Sequence, residues 1–190
     1  ALAALGIVLP ITIILQAFAN LVGLGGSPRA SMKLGEGKKE EANLLFNNSF
    51  SLLFVLSLIL SVSCFCSSRY LVSAFGCPEA SLDYADSYLK VYSLGIVFVL
   101  LGQGLNSFVT AQGKSLLSMA TTLIGAVLNI GLDPLFIFVF KLGVQGAALA
   151  TVLSQFVSFL WVILLFFRKS SQFHFRFKDM VPRWSALKSI

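Results

Sequence analysis

The sequence has little charge. Asp, Glu, Lys and Arg make up only 12% of the 190 residues, whereas hydrophobic residues make up 57%. Soluble domains are about 25% charged and about 45–50% apolar, so a water-soluble fold would lack the polar groups that cover its surface. The same composition excludes a disordered chain, a collagen and a disulfide scaffold. It indicates an integral membrane protein that lies in a lipid bilayer.

The sequence is also short of residues that perform catalysis. It has one histidine and three cysteines, and the spacing of Cys64, Cys66 and Cys77 is not that of a zinc site. We interpret these cysteines as small packing residues. The sequence contains no Walker motif, no nucleophile–base pair and no second intramembrane aspartate, which an aspartyl intramembrane protease requires. These absences predict that the protein is not an enzyme.

Long runs without charge divide the chain into five segments. Four of the runs contain no charged residue, and the fifth contains only Asp133. Each is long enough for the roughly 20 residues that cross about 30 Å of hydrocarbon, and lipid offers no partner to a backbone that is not helical. The sequence therefore predicts an all-α membrane protein with five transmembrane helices, at about 3–30, 43–67, 91–113, 116–140 and 144–167. Residues 68–90 are predicted to form a longer amphipathic connection.

The basic residues predict the orientation of these helices. Eleven of them fall on one side of the predicted membrane, in the loops 31–42 and 112–115, near the end of the first helix and in the tail 168–190, and three fall on the other side. Because cytoplasmic loops carry the excess of Lys and Arg, we expect the two loops and the tail to be cytoplasmic. We interpret the tail as a juxtamembrane linker with an amphipathic piece at the lipid headgroups. The net charge of +6 is then a topology signal, and no nucleic-acid partner is expected.

One charged residue lies inside a predicted span. A carboxylate such as that of Asp133 costs about 2.5–3.5 kcal/mol on insertion scales, and such residues usually face a cavity or a partner. Asn129 is one helical turn earlier, so both side chains share a face, and Pro134 cannot donate a backbone hydrogen bond to Ile130. Oxygen ligands of this kind suit a hard cation such as Na⁺, and the carboxyl group could equally carry a proton. A structural aspartate that is hydrogen-bonded to another helix is the alternative.

Other polar residues inside the predicted spans are weaker candidates for a site. They form pairs that are spaced by about one helical turn, so each pair shares a face of its helix. The pairs are Gln16 and Asn20, Gln103 and Asn106, and Thr151 and Gln155. We expect Gln103 and Asn106 to line a polar pocket.

Several segments together resemble the multidrug and toxic compound extrusion (MATE) family. They are residues 25–31 (GGSPRAS) with 34–37 (LGEG), 129–134 (NIGLDP), 143–151 (GVQGAALAT), and Asn106 followed by 111–113 (AQG). The resemblance covers nearly the whole chain in order. It implies a fold of twelve helices in two six-helix lobes, in which residues 1–167 are five helices of a partial N-terminal lobe and residues 168–190 lead toward a C-lobe. The chain starts at Ala1 inside an apolar run, and we expect it to begin partway through a longer protein.

The resemblance also implies an activity and a site. Family members export cationic and amphipathic small-molecule drugs in exchange for Na⁺ or H⁺ and need no cofactor. By position, Asn129, Asp133 and Thr151 would hold the coupling ion, and Gln103 and Asn106 would line the same cavity. A bend at Pro134 would change with ion binding. The family's acidic partner on its first helix would lie outside this chain.

These observations lead to a hypothesis of a multi-pass antiporter in the cell (plasma or inner) membrane that works by alternating access. Two alternatives stay open. A lipid-linked oligosaccharide flippase can share a related helical architecture, although such proteins tend to carry several cations in the cavity and no Lys or Arg lies within a predicted helix core here. The chain could also be a non-transporting membrane scaffold or sensor domain, because five helices alone do not complete a transport pathway.

Overall fold

The structure is a computed structural model that describes residues 2–168 and 171–176. The described residues form five α-helices and one π-helix. The α-helices are α1 (Leu2–Gly35), α2 (Lys39–Ala74), α3 (Glu79–Ala111), α4 (Ser115–Pro134) and α5 (Gly143–Phe167), and the π-helix (Leu135–Val139) continues α4. All five are long and apolar enough to cross a membrane, and no strand occurs in the described part of the chain. The predicted fold class, an all-α protein with five membrane-spanning helices, is confirmed.

Consecutive helices run in opposite directions, so the bundle has two ends. We call the end that carries the α1–α2 and α3–α4 turns and the start of the tail the basic end, and the other the opposite end. Both turns at the basic end reverse the chain at a glycine with a positive φ, Gly37 at 79° and Gly113 at 75°, a backbone conformation that glycine adopts without steric cost. In the first turn, Lys38 and Lys33 lie at 2.9 and 3.3 Å from Glu36 and lower the pKa of its carboxyl group.

α2 and α3 extend well beyond the spans that were predicted from charge, whereas α4 with its π-helix and α5 match their predicted spans closely. Residues 68–90 are not a separate connection, because α2 continues to Ala74 and α3 begins at Glu79. Charged side chains at this end pair across the two helices: Arg69 lies 3.0 Å from Asp83, and Asp86 accepts a hydrogen bond from Ser68. Because the charged residues here are paired and remain helical, the first charged residue does not mark the end of the helix.

α3 lies at the centre of the bundle and packs against α1, α2 and α5. Its approach to α1 is close because small residues meet there: a Cβ atom on Gly23 would lie 3.1 Å from the Cα of Gly104. Small residues of this kind let membrane helices pack backbone against backbone. α4 packs against α5 and α3, and within the described residues it does not contact α1. A cleft between α1 and α4 results.

A dense aromatic cluster closes the basic end. The fully buried rings of Phe46, Phe108 and Phe173 pack together there, so residues from α2, α3 and the tail share one core. Of the predicted linker 168–190, the structure describes Arg168 and residues 171–176, and these six tail residues pack against the helix ends. The rest of that prediction lies outside the described residues.

Candidate functional site

Two polar cavities follow the cleft between α1 and α4. One, which we call the Asp133 cavity, lies toward the opposite end and has a volume of about 350 Å³. The other, the basic-end cavity, has a volume of about 380 Å³. Gln16 of α1 and Gln155 of α5 line both cavities, so the two volumes meet at these side chains. Together they form a polar column along the interior face of the helices.

The Asp133 cavity contains a buried oxygen atom without a protein partner. The Oδ1 atom of Asp133 accepts no hydrogen bond from any described residue, and no Lys or Arg in the described ranges forms an ion pair with this carboxylate. Burying a carboxylate oxygen without a donor or a cation is costly. The atom is therefore a candidate ligand for an ion or a proton that enters the cavity.

Three further oxygen-bearing side chains lie around Asp133. The Nδ2 atom of Asn129 donates to the Oγ1 atom of Thr151 at 3.4 Å, and this Oγ1 atom donates in turn to the carbonyl of Ala147 at 3.0 Å. With Nδ2 engaged in this way, the Oδ1 atom of Asn129 remains as a potential ligand. Tyr88 lines the same cavity as Thr151 and Asp133. The cavity thus gathers a carboxylate, an amide and two hydroxyl groups.

The backbone changes its helical type immediately after Asp133. Pro134 ends α4, and the π-helix Leu135–Val139 follows it without a break. The amide of Phe140 donates to the carbonyl of Leu135 at 3.0 Å, a spacing of five residues in place of four. π-Turns of this kind are rare and often occur at functional sites. The structure therefore places a non-standard turn beside the buried carboxylate, at the position where the sequence predicts a bend.

Gln103 and Asn106 line a polar cavity that adjoins the Asp133 cavity. Both residues line the basic-end cavity, while Asn129, Asp133 and Thr151 line the Asp133 cavity. The Nε2 atom of Gln103 donates to Oδ1 of Asn20 at 3.0 Å, and Asn106 donates to the carbonyl of Ser118 at 3.3 Å. Gln103 and Asn106 lie in the half of α3 that is nearer the basic end. Their position along the helix separates them from the Asp133 cavity.

Sequence reasoning missed three polar residues that line the Asp133 cavity. They are Thr12 of α1 and Tyr88 and Tyr92 of α3. The two tyrosines are four residues apart and their rings stack with centroids 6.2 Å apart, so they follow one face of the helix. This signal was present in the sequence, but Tyr88 lies in the segment that was predicted to be a connection.

The chemistry of the site favours a hard cation or a proton. Its ligands are oxygen atoms, which suit alkali and alkaline-earth cations more than transition metals. Within the described residues no group of three His, Cys, Asp or Glu side chains could hold a metal ion. A single carboxylate, supported by neutral oxygen atoms, can bind one positive charge and release it again.

Comparison with known proteins adds a family to this geometry. A protein-family model described as MatE matches residues 1–135. Multidrug export protein MepA of Staphylococcus haemolyticus (strain JCSC1435) is 35% identical to this chain over 191 residues, which cover 100% of this chain and 42% of that relative. The protein of the same name from Staphylococcus aureus (strain MRSA252) is 33% identical over the same share of each chain. The chain thus spans less than half the length of these relatives.

Solved structures agree with the sequence relatives. A multidrug resistance MATE family transporter of the MOP superfamily in an inward-facing conformation superimposes with a TM-score of 0.93 at 27% identity, over 99% of this chain and 43% of that chain. An outward-facing conformation of such a transporter gives a TM-score of 0.91 at 28% identity, over 99% and 42%. A crystal structure of MATE in the bent conformation gives 0.92 at 28% identity, over 98% and 42%.

Proposed function

Because the chain belongs to the MatE family, we propose that it is part of a secondary active multidrug exporter. The exporter exchanges cationic or amphipathic small-molecule drugs for a coupling ion, Na⁺ or H⁺. Relatives named as multidrug export proteins support this activity. The similar transporters have inward-facing and outward-facing conformations, and this supports alternating access as the mechanism.

The observation that carries the proposal is the unpartnered carboxylate oxygen of Asp133. A buried acceptor without a partner among the described residues is explained if an ion or a proton binds it during the transport cycle. Asn129 and Thr151 supply neutral oxygen atoms on the same cavity, and Tyr88 adds a third. We assign ion coupling to Asp133, Asn129 and Thr151.

Ion binding and drug export are linked through the shape of the lobe. A bound cation neutralises Asp133 and draws Asn129 toward it, and the strain falls on Pro134 and the π-helix that follows. If the inward-facing and outward-facing states differ in the conformation of this turn, the ion binds one state more tightly. It then shifts the equilibrium toward that state by the difference between its two binding free energies. A drug that binds the other state is then expelled as the ion enters, because the coupling between the two ligands is reciprocal.

The proposal also includes the location of the protein in the cell. The exporter is a multi-pass protein of the plasma or inner membrane, with the basic end in the cytoplasm according to the distribution of Lys and Arg. Loops 31–42 and 112–115 and the tail 168–190 then lie in the cytoplasm, and the Asp133 cavity lies in the outer half of the membrane. A C-lobe of the same protein completes the drug pathway, in line with the greater length of the relatives.

The alternatives have less support. A lipid-linked oligosaccharide flippase would need cations to bind its anionic cargo, and neither of the two polar cavities is lined by Lys or Arg in the described part of the chain. A scaffold or sensor domain gives no reason for a buried carboxylate oxygen in a polar cavity. Enzymatic activity has no support in the family of the relatives, which are named as exporters.

The test uses drug efflux by the full-length protein in cells with a controlled ion gradient. Asp133→Asn keeps the size and polarity of the side chain but removes its charge, and we expect it to lower ion-driven efflux at least about tenfold, as an essential coupling charge requires. The matched control is Asp83→Asn, because Asp83 is exposed and lies outside both polar cavities. Normal, gradient-dependent export by the Asp133→Asn variant would falsify the proposal.

A further inference from the structure

Residues 171–176, which we call the strap, lie in an extended conformation across the basic end of the bundle. Their burial alternates: Ser171 and Phe173 are buried and Phe175 is partly buried, whereas the residues between them are exposed. This period of two is that of a β-strand with one face against a surface. No strand pairs with the strap in the described structure, so helix side chains must satisfy its backbone.

Two asparagines of α2 bind the backbone of the strap. The amide N–H of His174 donates to Oδ1 of Asn43 at 2.8 Å, and the carbonyl of His174 accepts from Nδ2 of Asn47 at 3.0 Å. The N–H of Arg176 donates to Oδ1 of Asn47 at 3.0 Å. Asn43 and Asn47 are one helical turn apart, so α2 presents a short ladder of side-chain amides in place of a neighbouring strand.

Gln112, the residue that follows α3, continues this ladder at the other end of the strap. The N–H of Gln172 donates to Oε1 of Gln112 at 2.9 Å, and the hydroxyl of Ser171 donates to the same oxygen at 3.3 Å. Alternate backbone N–H groups, those of residues 172, 174 and 176, are therefore each bound by a side-chain amide oxygen. These side-chain amides bind the backbone of the strap as a neighbouring strand would, independently of the identity of the strap's side chains.

The inward-facing aromatic side chains of the strap fill an aromatic groove. Phe173 is fully buried, with its ring stacked on Phe46 at 5.2 Å and edge-on to Phe108 at 5.7 Å between centroids. Phe175 packs edge-on against Phe50 at 5.1 Å. Aromatic burial of this extent dominates the energetics of an interface, and the groove therefore selects an extended segment with aromatic residues at alternate positions.

We propose that the strap and this groove form an intramolecular docking site, and that export requires the site to be closed. The groove is built from residues of α2 and α3 and from Gln112, which follows α3; they are Asn43, Phe46, Asn47, Phe50, Phe108 and Gln112. Its occupant is residues 171–176 of this chain. Docking holds the strap against the basic ends of α2 and α3, so a displacement of the strap would pull on both helices. The requirement for export rests on the proposed function, whereas docking itself does not.

A matched pair of variants tests docking in the full-length protein. Asn43→Asp keeps the oxygen that accepts from His174 and loses a donor only to the Lys39 carbonyl of its own helix. Asn43 also lies near the start of α2, where a negative charge is favourable. Asn47→Asp makes the same chemical change one turn later, but it removes the donor to the carbonyl of His174 and sets a carboxylate against it. We expect Asn47→Asp to open the site and Asn43→Asp to leave it closed.

The readout is the rate at which maleimide labels the thiol of a Ser171→Cys variant in which the other cysteines of the protein are replaced by serine. Ser171 is buried when the strap is docked, so labelling should be slow in the parent protein and in Asn43→Asp. It should be about tenfold faster in Asn47→Asp, as expected for the loss of a buried hydrogen bond that leaves its partner unsatisfied. Phe173→Ala changes a strap residue and no helix residue, and it should give at least the same increase.

Drug efflux by the same variants separates the two parts of the proposal. Loss of efflux in Asn47→Asp and Phe173→Ala, with efflux retained in Asn43→Asp, supports the requirement for docking. Fast labelling with normal efflux overturns that requirement, and unchanged labelling in Asn47→Asp and Phe173→Ala overturns the docking site itself. A parent protein that exports no drug contradicts the proposed function, and its labelling rates then still decide whether the strap docks.

Discussion

The Asp133 cavity and the strap groove occupy opposite ends of the same bundle and treat buried polar groups in opposite ways. In the groove, the side-chain amides of Asn43 and Asn47 are hydrogen-bonded to backbone groups of the strap or of their own helix. In the cavity, Oδ1 of Asp133 has no donor among the described residues. Asn43 and Asn47 are buried, whereas Asn129, Asp133 and Thr151 are partly exposed, although the Oδ1 atom of Asp133 is itself buried.

This difference distinguishes polar residues that stabilise the lobe from polar residues that are available to bind a ligand. A fully satisfied polar network rigidifies the structure around it, whereas an unsatisfied group in a low dielectric is costly and responds strongly to a partner. The groove also buries large aromatic side chains, while the cavity stays open at about 350 Å³. We therefore expect substitutions in the groove to change stability and substitutions in the cavity to change the response to an ion.

The largest expected effect on stability comes from Phe46, whose fully buried ring contacts four other phenylalanine rings. Phe46→Ala leaves a void among rings that cannot all collapse into it, and it should cost about 3–5 kcal/mol. The measurement is the thermal unfolding midpoint of the full-length protein in detergent. Phe167→Ala is the control, because Phe167 is 70% exposed. An equal fall in the unfolding midpoint of the two variants would contradict the conclusion that the groove stabilises the bundle.

The second effect concerns the response to an ion at Asp133. A cation that binds only the folded protein stabilises it by about 2.7 kcal/mol at a concentration of about 100 times its Kd, and Asp133→Asn should abolish this gain. The same unfolding assay, with and without Na⁺ and over a range of pH, measures it. Asp83→Asn should retain the full response. An Asp133→Asn protein that Na⁺ or protons still stabilise to the same extent would remove the distinction between the two ends.

The sequence alone predicts the helices well and the ends of α2 and α3 poorly. Charge-free runs locate five spans because crossing hydrocarbon demands them. The same reasoning fails at residues 68–90, where Arg69 pairs with Asp83 and the helices continue through the charged residues. The strap was missed for a related reason: a basic tail predicts contact with headgroups, and nothing local shows that Phe173 will meet Phe46 and Phe108 in the fold.

The candidate site was predictable to the extent that it lies on one helix. Asn129 and Asp133 are four residues apart, and their common face follows from helical geometry. Thr151 was a weak candidate from its spacing to Gln155, and it was grouped with Asn129 and Asp133 only through the family resemblance, since its contact with Asn129 joins two helices. Tyr88 was missed because it reaches the cavity from α3, and the separation of Gln103 from Asp133 also needed the packed structure. Contacts between helices depend on their relative rotation, which one-turn spacing does not determine.

A smaller effect should follow from the hydroxyl group of Thr151. Thr151→Val keeps the shape of the side chain but removes the oxygen that accepts from Asn129, so we expect the cation affinity to fall about five- to tenfold, as for one lost hydrogen bond. Titration of the ion-dependent unfolding midpoint measures it. Ser154→Ala is the control, because Ser154 donates to the Thr151 carbonyl within α5 and does not line the Asp133 cavity. A larger loss of cation affinity in Ser154→Ala than in Thr151→Val would contradict the assigned role.

The smallest effect on ion binding should come from Gln103, which distinguishes the two cavities. Gln103→Leu removes the donor to Asn20 and makes the basic-end cavity less polar, yet it leaves every polar residue of the Asp133 cavity in place. Since the two sites share only Gln16 and Gln155, we expect the cation affinity to change by less than about threefold, within the usual additivity of separated sites. Titration as for Thr151→Val gives the value. A loss as large as that of Thr151→Val would mean that the ion site extends through both cavities, as one polar column, and that the boundary at Gln16 and Gln155 has no functional meaning.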